Sequence, residues 1–283
     1  MPSPFPPPPR RATELRDRFA AEARSERPDL SVLCLLTGAA ADGSLDDAGL
    51  DAAQVELDRL AGLLPYRPGG PRAWAGALRD LLGERCGFHG TPGDYRRLDS
   101  SLLQHVLRRR RGLPILLSVV WLEVARRAGA PVYGVALPGH FVVGFGAAEE
   151  RVLADPFDGG RLLTGADAEL LVAGATGAPL DASALEPARP LEVVRRILHN
   201  IRAWAAARPE RSDVALWALD LSLRLPAHPA RLRYERGLLL VQRCDFLAGA
   251  AELEAYAELV EAVDEAAAEK VRGEARVARA KLN

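Results

Sequence analysis

Residues 112–156 constrain this chain more than any other stretch: GLPILLSVVWLEVARRAGAPVYGVALPGHFVVGFGAAEERVLADP. Ile115, Leu116, Leu117, Val119, Val120 and Leu122 leave the first half of the segment 115–128 apolar almost all round. A helix without a polar face belongs in an interior. Pro114 suits the first turn, where its missing N–H costs nothing, and Gly129 suits the C-cap. The second half of the helix should expose Glu123, Arg126 and Arg127. Three strands are expected next, over 132–137, 140–145 and 151–155. Pro138-Gly139 turns between the first two, and the polar residues 147–150 between the last two. A buried helix beside a small antiparallel sheet makes this an α+β domain.

The second hairpin permits a geometric deduction. With its loop centred between Ala148 and Glu149, Asp155 lies opposite Val142 and Phe157 opposite His140. Side chains two apart on a strand share a face. His140, at the head of the second strand, and Asp155, at the end of the third, are then diagonal neighbours within reach of each other. A slip of one residue would send them to opposite faces.

Upstream, the pattern is helical. MPSPFPPPPRR opens a proline-rich tail, expected to be disordered over 1–12. A helix follows over 13–23 with Thr13 as a possible N-cap, and 30–37 reads as helical core. Val55, Leu57, Leu60, Leu63 and Leu64 fall at helical spacing, so 51–64 reads as an amphipathic helix, stopped by YRPGGP. Trp74, Leu78, Leu81 and Leu82 mark another helix. The span 100–110 is a further one, ending in the arginine run 108–111. Cations suit the negative end of a helix, so the run is read as a solvated last turn. With Lys+Arg 37 against Asp+Glu 38, no other basic cluster supports nucleic-acid binding.

Downstream, residues 164–188 read as a short helix and a linker. From Pro190 the chain is helical, alanine-rich and repetitive. Ala203 and Gly237, Ala215 and Gly249, and Leu219 and Leu253 are each offset by 34 positions, the tetratricopeptide period. Small residues let the helices of a repeat approach closely. About two repeats fit, with a capping helix over 263–282. The expected organisation is a tail over 1–12, a first domain over 13–187 with a helical N-terminal part, and helical repeats over 190–283.

The run VLRRRRGLPILLSVVWLEVARRAGAPVYGVALPGHFVV, then DPFDGG, then tetratricopeptide-like helices, resembles the SirB-type bacterial branch of the transglutaminase-like (papain-like) superfamily. The resemblance covers residues 51–282. It implies a papain/transglutaminase-like fold and a regulatory role. In that superfamily a cysteine at the start of the buried helix is the nucleophile, a histidine is its base, and an aspartate orients the histidine. Carried over, His140 matches the base and Asp155 the orienting acid. The cysteine position falls near residues 114–116, where this chain has Pro114, Ile115 and Leu116. The family often has a serine shortly after the proline, whereas the first hydroxyl here is Ser118. Ser100-Ser101 stands where an Asn-Ser pair is usual.

Two readings follow. In one, the domain is a catalytically silent scaffold, and a protein or peptide partner binds through the repeats or the His140 pocket. A helix start without its nucleophile still offers backbone N–H groups to a peptide or carboxylate. In the other, a hydrolase or acyl-transfer enzyme uses His140 and Asp155 with Ser118 or a bound water as nucleophile. A serine at Ser118 more often bonds the carbonyl four residues back, so the first reading is preferred.

His89 and His105 are placed on a loop and a helix surface, His199 and His228 in the repeats. No two are spaced i, i+4, so no metal site is expected. Cys34, Cys86 and Cys244 are scattered and form no C-x-x-C pair; they are expected to be reduced and mostly buried, with neither disulfide nor zinc. Trp121, Trp204 and Trp217 are read as packing residues. No cofactor is expected. No apolar run approaches the roughly 20 residues that span a bilayer, and the N-terminus lacks a signal-peptide pattern. A cytoplasmic protein is expected.

Overall fold

In a computed structural model, residues 6–64 and 69–281 are described. Two compact units emerge: Met1–Leu15 with Ser25–Ile197, and Arg16–Arg24 with Leu198–Asn283. Helix α1 (Pro9–Ala23) begins four residues ahead of Thr13, inside the expected disordered tail. Proline is well tolerated in a first turn, so the run of prolines does not delay the helix. Residues 1–5, and the first half of the predicted YRPGGP stop, lie outside the described residues.

In the first unit, α2 (Leu30–Ala41) is buried over nearly its whole length, and Asp29 caps it by accepting from the Val32 N–H at 3.0 Å. Helix α3 (Asp47–Gly62) starts with Asp46 accepting from the Gly49 N–H at 2.8 Å. Its buried stripe is Leu50, Ala53, Leu57 and Leu60, while Val55 and Leu63 are exposed. The spacing is helical as expected, and of the five expected apolar positions Leu57, Leu60 and Leu64 are buried while Val55 and Leu63 fall outside the core face. Helix α4 (Pro71–Leu78) continues into a π-helical turn, Arg79–Arg85. Two 3-10 turns, Pro92–Arg96 and Leu98–Ser101, lead into a shorter α5 (Leu103–Arg109) than expected.

Arg108 and Arg109 fall in the last turn of α5, with Arg108 exposed as expected, but the arginine run does more than meet solvent. Arg110 takes a left-handed φ of 57° and donates to the Cys86 carbonyl at 2.8 Å, and Arg111 donates to the Gly87 carbonyl at 2.9 Å. Arg109 reaches buried Asp94 at 3.4 Å. These cations tie α5 to the loop after the π turn.

Helix α6 (Pro114–Arg127) is buried from Pro114 to Ala125, as its composition requires. Glu123, expected at the surface, is 2% exposed. Its carboxylate sits between Arg126 and Arg127 one turn on, and that pairing lets a charge go inside. Strands β1 (Val132–Val135), β2 (Val142–Phe145) and β3 (Val152–Asp155) follow. Two short strands were not foreseen: β4 (Arg161–Leu163) beside β3, and β5 (Pro187–Ala188) beside β1. The sheet is antiparallel throughout, in the order β4-β3-β2-β1-β5.

Helix α7 (Gly165–Thr176) covers one face, where Ala168 and Val172 pack on Val135, Val142, Leu153 and Leu163. The alternate residues face α6: a Cβ on Gly134 would meet Leu122 and Phe141 at 3.3 and 2.8 Å.

The second unit carries helices α8 (Pro190–Ala206, whose first half belongs to the first unit), α9 (Ser212–Ser222), α10 (Arg231–Gln242), α11 (Phe246–Val260) and α12 (Glu265–Ala280). Of the small residues singled out by their spacing, Gly237 and Gly249 pack closely, whereas Ala203 is exposed and Ala215 half-buried. A Cβ on Gly249 would lie 2.9 Å from the Gly237 carbonyl oxygen, so α10 and α11 touch backbone to backbone. Ala257, Ala268 and Ala275 extend the same close packing to α12. Of the three cysteines, Cys34 is buried, Cys86 half-buried and Cys244 exposed, so the thiols are less buried than expected. Burial pushes the Cys34 thiol well above its usual range, which keeps it protonated.

Candidate functional site

The site is built at one end of the β2–β3 pair, where α6 reaches the residue before β2 through the Ser118–Phe141 bond. The ladder pairs Val143 with Ala154, Gly144 with Leu153 and Phe145 with Val152. Extended by one pair, the same register sets Asp155 against Val142, as the hairpin parity required. His140 lies two residues ahead of β2 rather than within it. It closes the Pro138-Gly139 turn, its N–H donating to the Leu137 carbonyl at 3.1 Å. Gly139 is needed there twice over. Its φ is 74°, and a Cβ would fall 2.2 Å from that of Ala175.

The two side chains meet. His140 Nε2 is 2.9 Å from Asp155 Oδ2. Both are largely buried, with side-chain exposures of 11% and 5%. The other Asp155 oxygen accepts from the Phe157 N–H at 2.9 Å, so the carboxylate is held at both ends. With the aspartate ionised, Nε2 carries the proton, and the His140 lone pair sits on Nδ1. That arrangement can orient an imidazole as a base.

Ser118 does not face the imidazole as a partner. It is fully buried, and its hydroxyl donates to the Phe141 carbonyl at 3.2 Å, not to the carbonyl four residues back. The helix start holds Pro114, Ile115 and Leu116, and Leu113 provides no side-chain cap. Asp158, Gly159 and Gly160 form the turn after Asp155, the Gly160 N–H donating to the Asp155 carbonyl at 2.8 Å.

Three residues complete the site that sequence reasoning did not assign to it. Phe157 stands edge-on to the His140 ring, centroids 6.0 Å apart. Tyr95 packs on Phe157 at 5.9 Å. Burial, and then the Asp155 charge, push its hydroxyl above the usual range, with Arg196 opposing. Arg196, from α8, donates to the His140 carbonyl at 2.7 Å and lies over the Phe141 ring at 5.7 Å. Hairpin parity had set Phe157 opposite His140. Tyr95 follows a capping box, Thr91 to Asp94, that was visible in the sequence. Nothing local marks Arg196 apart from its neighbour Arg195.

The remaining candidates lie elsewhere. His105 is 7% exposed, not on a helix surface. Among the described residues, no three His, Cys, Asp or Glu side chains cluster so as to hold a metal ion, and no helix is long and apolar enough to cross a membrane. Trp121 is fully buried, edge-on to Phe88 at 6.1 Å, and Trp204 lies under Arg208 at 4.3 Å. Both pack.

Comparison with known proteins agrees with this geometry. Residues 50–199 match the transglutaminase-like superfamily, and residues 201–283 match a tetratricopeptide repeat. A UPF0162 protein of Xylella fastidiosa (strain Temecula1) is 38% identical over 175 residues, 59% of this chain and 60% of that protein. The chain thus matches about three fifths of that relative's length. A UPF0162 protein of Pseudomonas aeruginosa is 38% identical over 112 residues, 39% of this chain and 41% of the relative. Human F-box only protein 21 is 26% identical over 174 residues, 59% of this chain and 26% of its own. A menin structure overlaps with a TM-score of 0.42 at 12% identity, covering 91% of this chain and 71% of that one. With its family match spanning more than half of its length and a helix-on-sheet domain that brings histidine to aspartate, this chain belongs to the transglutaminase-like superfamily.

Proposed function

We propose that this protein is a non-catalytic transglutaminase-like scaffold of the SirB type, acting in protein–protein interaction or regulation in the cytoplasm. One observation carries the reading. The base and its orienting acid are assembled at 2.9 Å, while the start of α6 offers only Pro114, Ile115 and Leu116. Ser118 cannot stand in without giving up its bond to the Phe141 carbonyl, and a serine hydroxyl needs a well-placed base to act at all. The match to a tetratricopeptide repeat adds a second interaction surface. In this reading the partner is a protein or peptide held by the His140 pocket or the repeats, without nucleic acid, membrane or cofactor.

The intact His140–Asp155 geometry favours one alternative, a hydrolase or acyl-transfer enzyme with a non-cysteine nucleophile. A pull-down comparing wild type with His140→Ala, beside treatment with an electrophilic serine/cysteine probe, separates the two. The scaffold reading expects partner recovery without labelling. Labelling at Ser118 that His140→Ala abolishes overturns it. Partner recovery unchanged in the variant moves the binding surface to the repeats.

A further inference from the structure

Arg196 is a half-buried cation beside the His140–Asp155 pair, and it has no carboxylate of its own among the described residues. One N–H is committed to the His140 carbonyl, at 2.7 Å, and the guanidinium face rests on Phe141. The remaining donors of the fork are uncommitted among the described residues. Burial lowers its proton affinity below the usual arginine range, opposed only by Tyr95. A guanidinium stays charged through such a shift. Two other partly buried arginines of the first unit are matched to acids, Arg127 to Glu123 and Asp58, and Arg109 to Asp94, whereas Arg111 donates to backbone carbonyls. The Tyr95 hydroxyl, half exposed and kept protonated, has no hydrogen-bond partner among the described residues, so it is a second available donor.

We propose that Arg196 and Tyr95 form a receptor for a peptide carboxylate beside His140. The inference rests on the scaffold reading and names the chemistry of its ligand. The charge decides the class. The Asp155 carboxylate is spent on His140 and the Phe157 N–H rather than on Arg196. One uncompensated guanidinium therefore suits a monoanion. A phosphate dianion would meet Asp155 with its second charge unmatched. The planar fork of an arginine fits the two oxygens of a carboxylate. A phenol that remains protonated donates to an anion and cannot repel it.

The test uses the full chain and three small probes: N-acetyl-glycylglycine, its amide, and N-acetyl-glutamic acid α-amide, which keeps only its side-chain carboxylate, with inorganic phosphate as a fourth arm. Binding is read from the Arg196 Nε–H and His140 ring resonances. Saturable shifts are expected with a carboxylate probe and none with the amide. The first probe reports a chain terminus and the third an acidic side chain; response to either supports the proposal. Arg196→Gln should weaken binding at least ~10-fold, the scale of one charge-assisted hydrogen bond. Arg196→Lys should recover part of that, and Tyr95→Phe should weaken binding a few-fold. Tyr95 is half exposed, so its variant holds the test if Arg196→Gln does not fold. Equal response to the amide, binding of phosphate alone, or affinity unchanged by Tyr95→Phe and Arg196→Gln overturns it. Electrophile labelling at Ser118 would instead overturn the scaffold reading, and leaves the carboxylate preference to be read on its own.

Discussion

Two histidine–aspartate pairs lie in the first unit, and they differ in what surrounds them. His140 and Asp155 meet at 2.9 Å in an aligned hydrogen bond. His105 and Asp42 approach to 3.3 Å, yet His105 Nε2 is buried without an aligned partner. The other His105 nitrogen is closed off by the Arg108 guanidinium at 2.7 Å. Asp42 spends its second oxygen on Ser44, accepting from the N–H at 3.0 Å and from the hydroxyl at 2.6 Å. In the His140 pair only Nε2 is committed among the described residues, and a lone pair is left on Nδ1. Nearness and burial are common to both. Only the pair with an open nitrogen can do anything but hold the fold.

Four substitutions test that contrast, in falling order of effect. Asp155→Ala strands both the Phe157 N–H and the imidazole, and should cost about 3 kcal/mol in urea denaturation, from the ~1–3 kcal/mol per stranded buried group. Gly139→Ala should cost about 2 kcal/mol, through the left-handed φ and the clash with Ala175, and should broaden the His140 ring signals. Asp42→Ala removes the Ser44 turn and a poorly aligned contact, so about 1–2 kcal/mol is expected. If it costs as much as Asp155→Ala, the two pairs are not different in kind.

The smallest effect concerns pH. Burial, aided by Arg108 and opposed by Asp99 and Asp42, lowers the His105 pKa from 6.5. The unfolded chain then takes up a proton before the folded one does. Stability is full above the unfolded value and declines as pH falls through about 6.5 toward the folded value. His105→Gln should flatten that decline in urea midpoints measured from pH 7.5 to 5, with a change under about 1 kcal/mol at pH 7.

The central helix and the hairpin register were legible because each rests on a local rule. Six apolar residues distributed all round two turns admit only an interior, and strand parity is fixed once a loop centre is chosen. The family fold followed. Strands β4 and β5 were not legible, since two or three residues carry no periodicity and are strands only by virtue of the neighbour they pair with. Glu123 was misplaced because burial of a carboxylate depends on arginines whose orientation the sequence does not state. Val55 and Leu63 showed the same limit from the apolar side: helical spacing identifies the helix, but tertiary packing selects the stripe. Tyr95 and Arg196 reach the site from segments 45 residues before His140 and 56 residues after it, beyond any local pattern.

The bonds at residues 140 and 141 have a consequence for motion. These two residues lie between the turn and β2, outside the ladder, where successive carbonyls have no strand partner. Arg196 takes the first and Ser118 the second, from α8 and α6 respectively. The peptide backbone under the imidazole is thereby moored on two sides. The ring is held from the side by Asp155, and the platform beneath it does not travel unless a helix lets go.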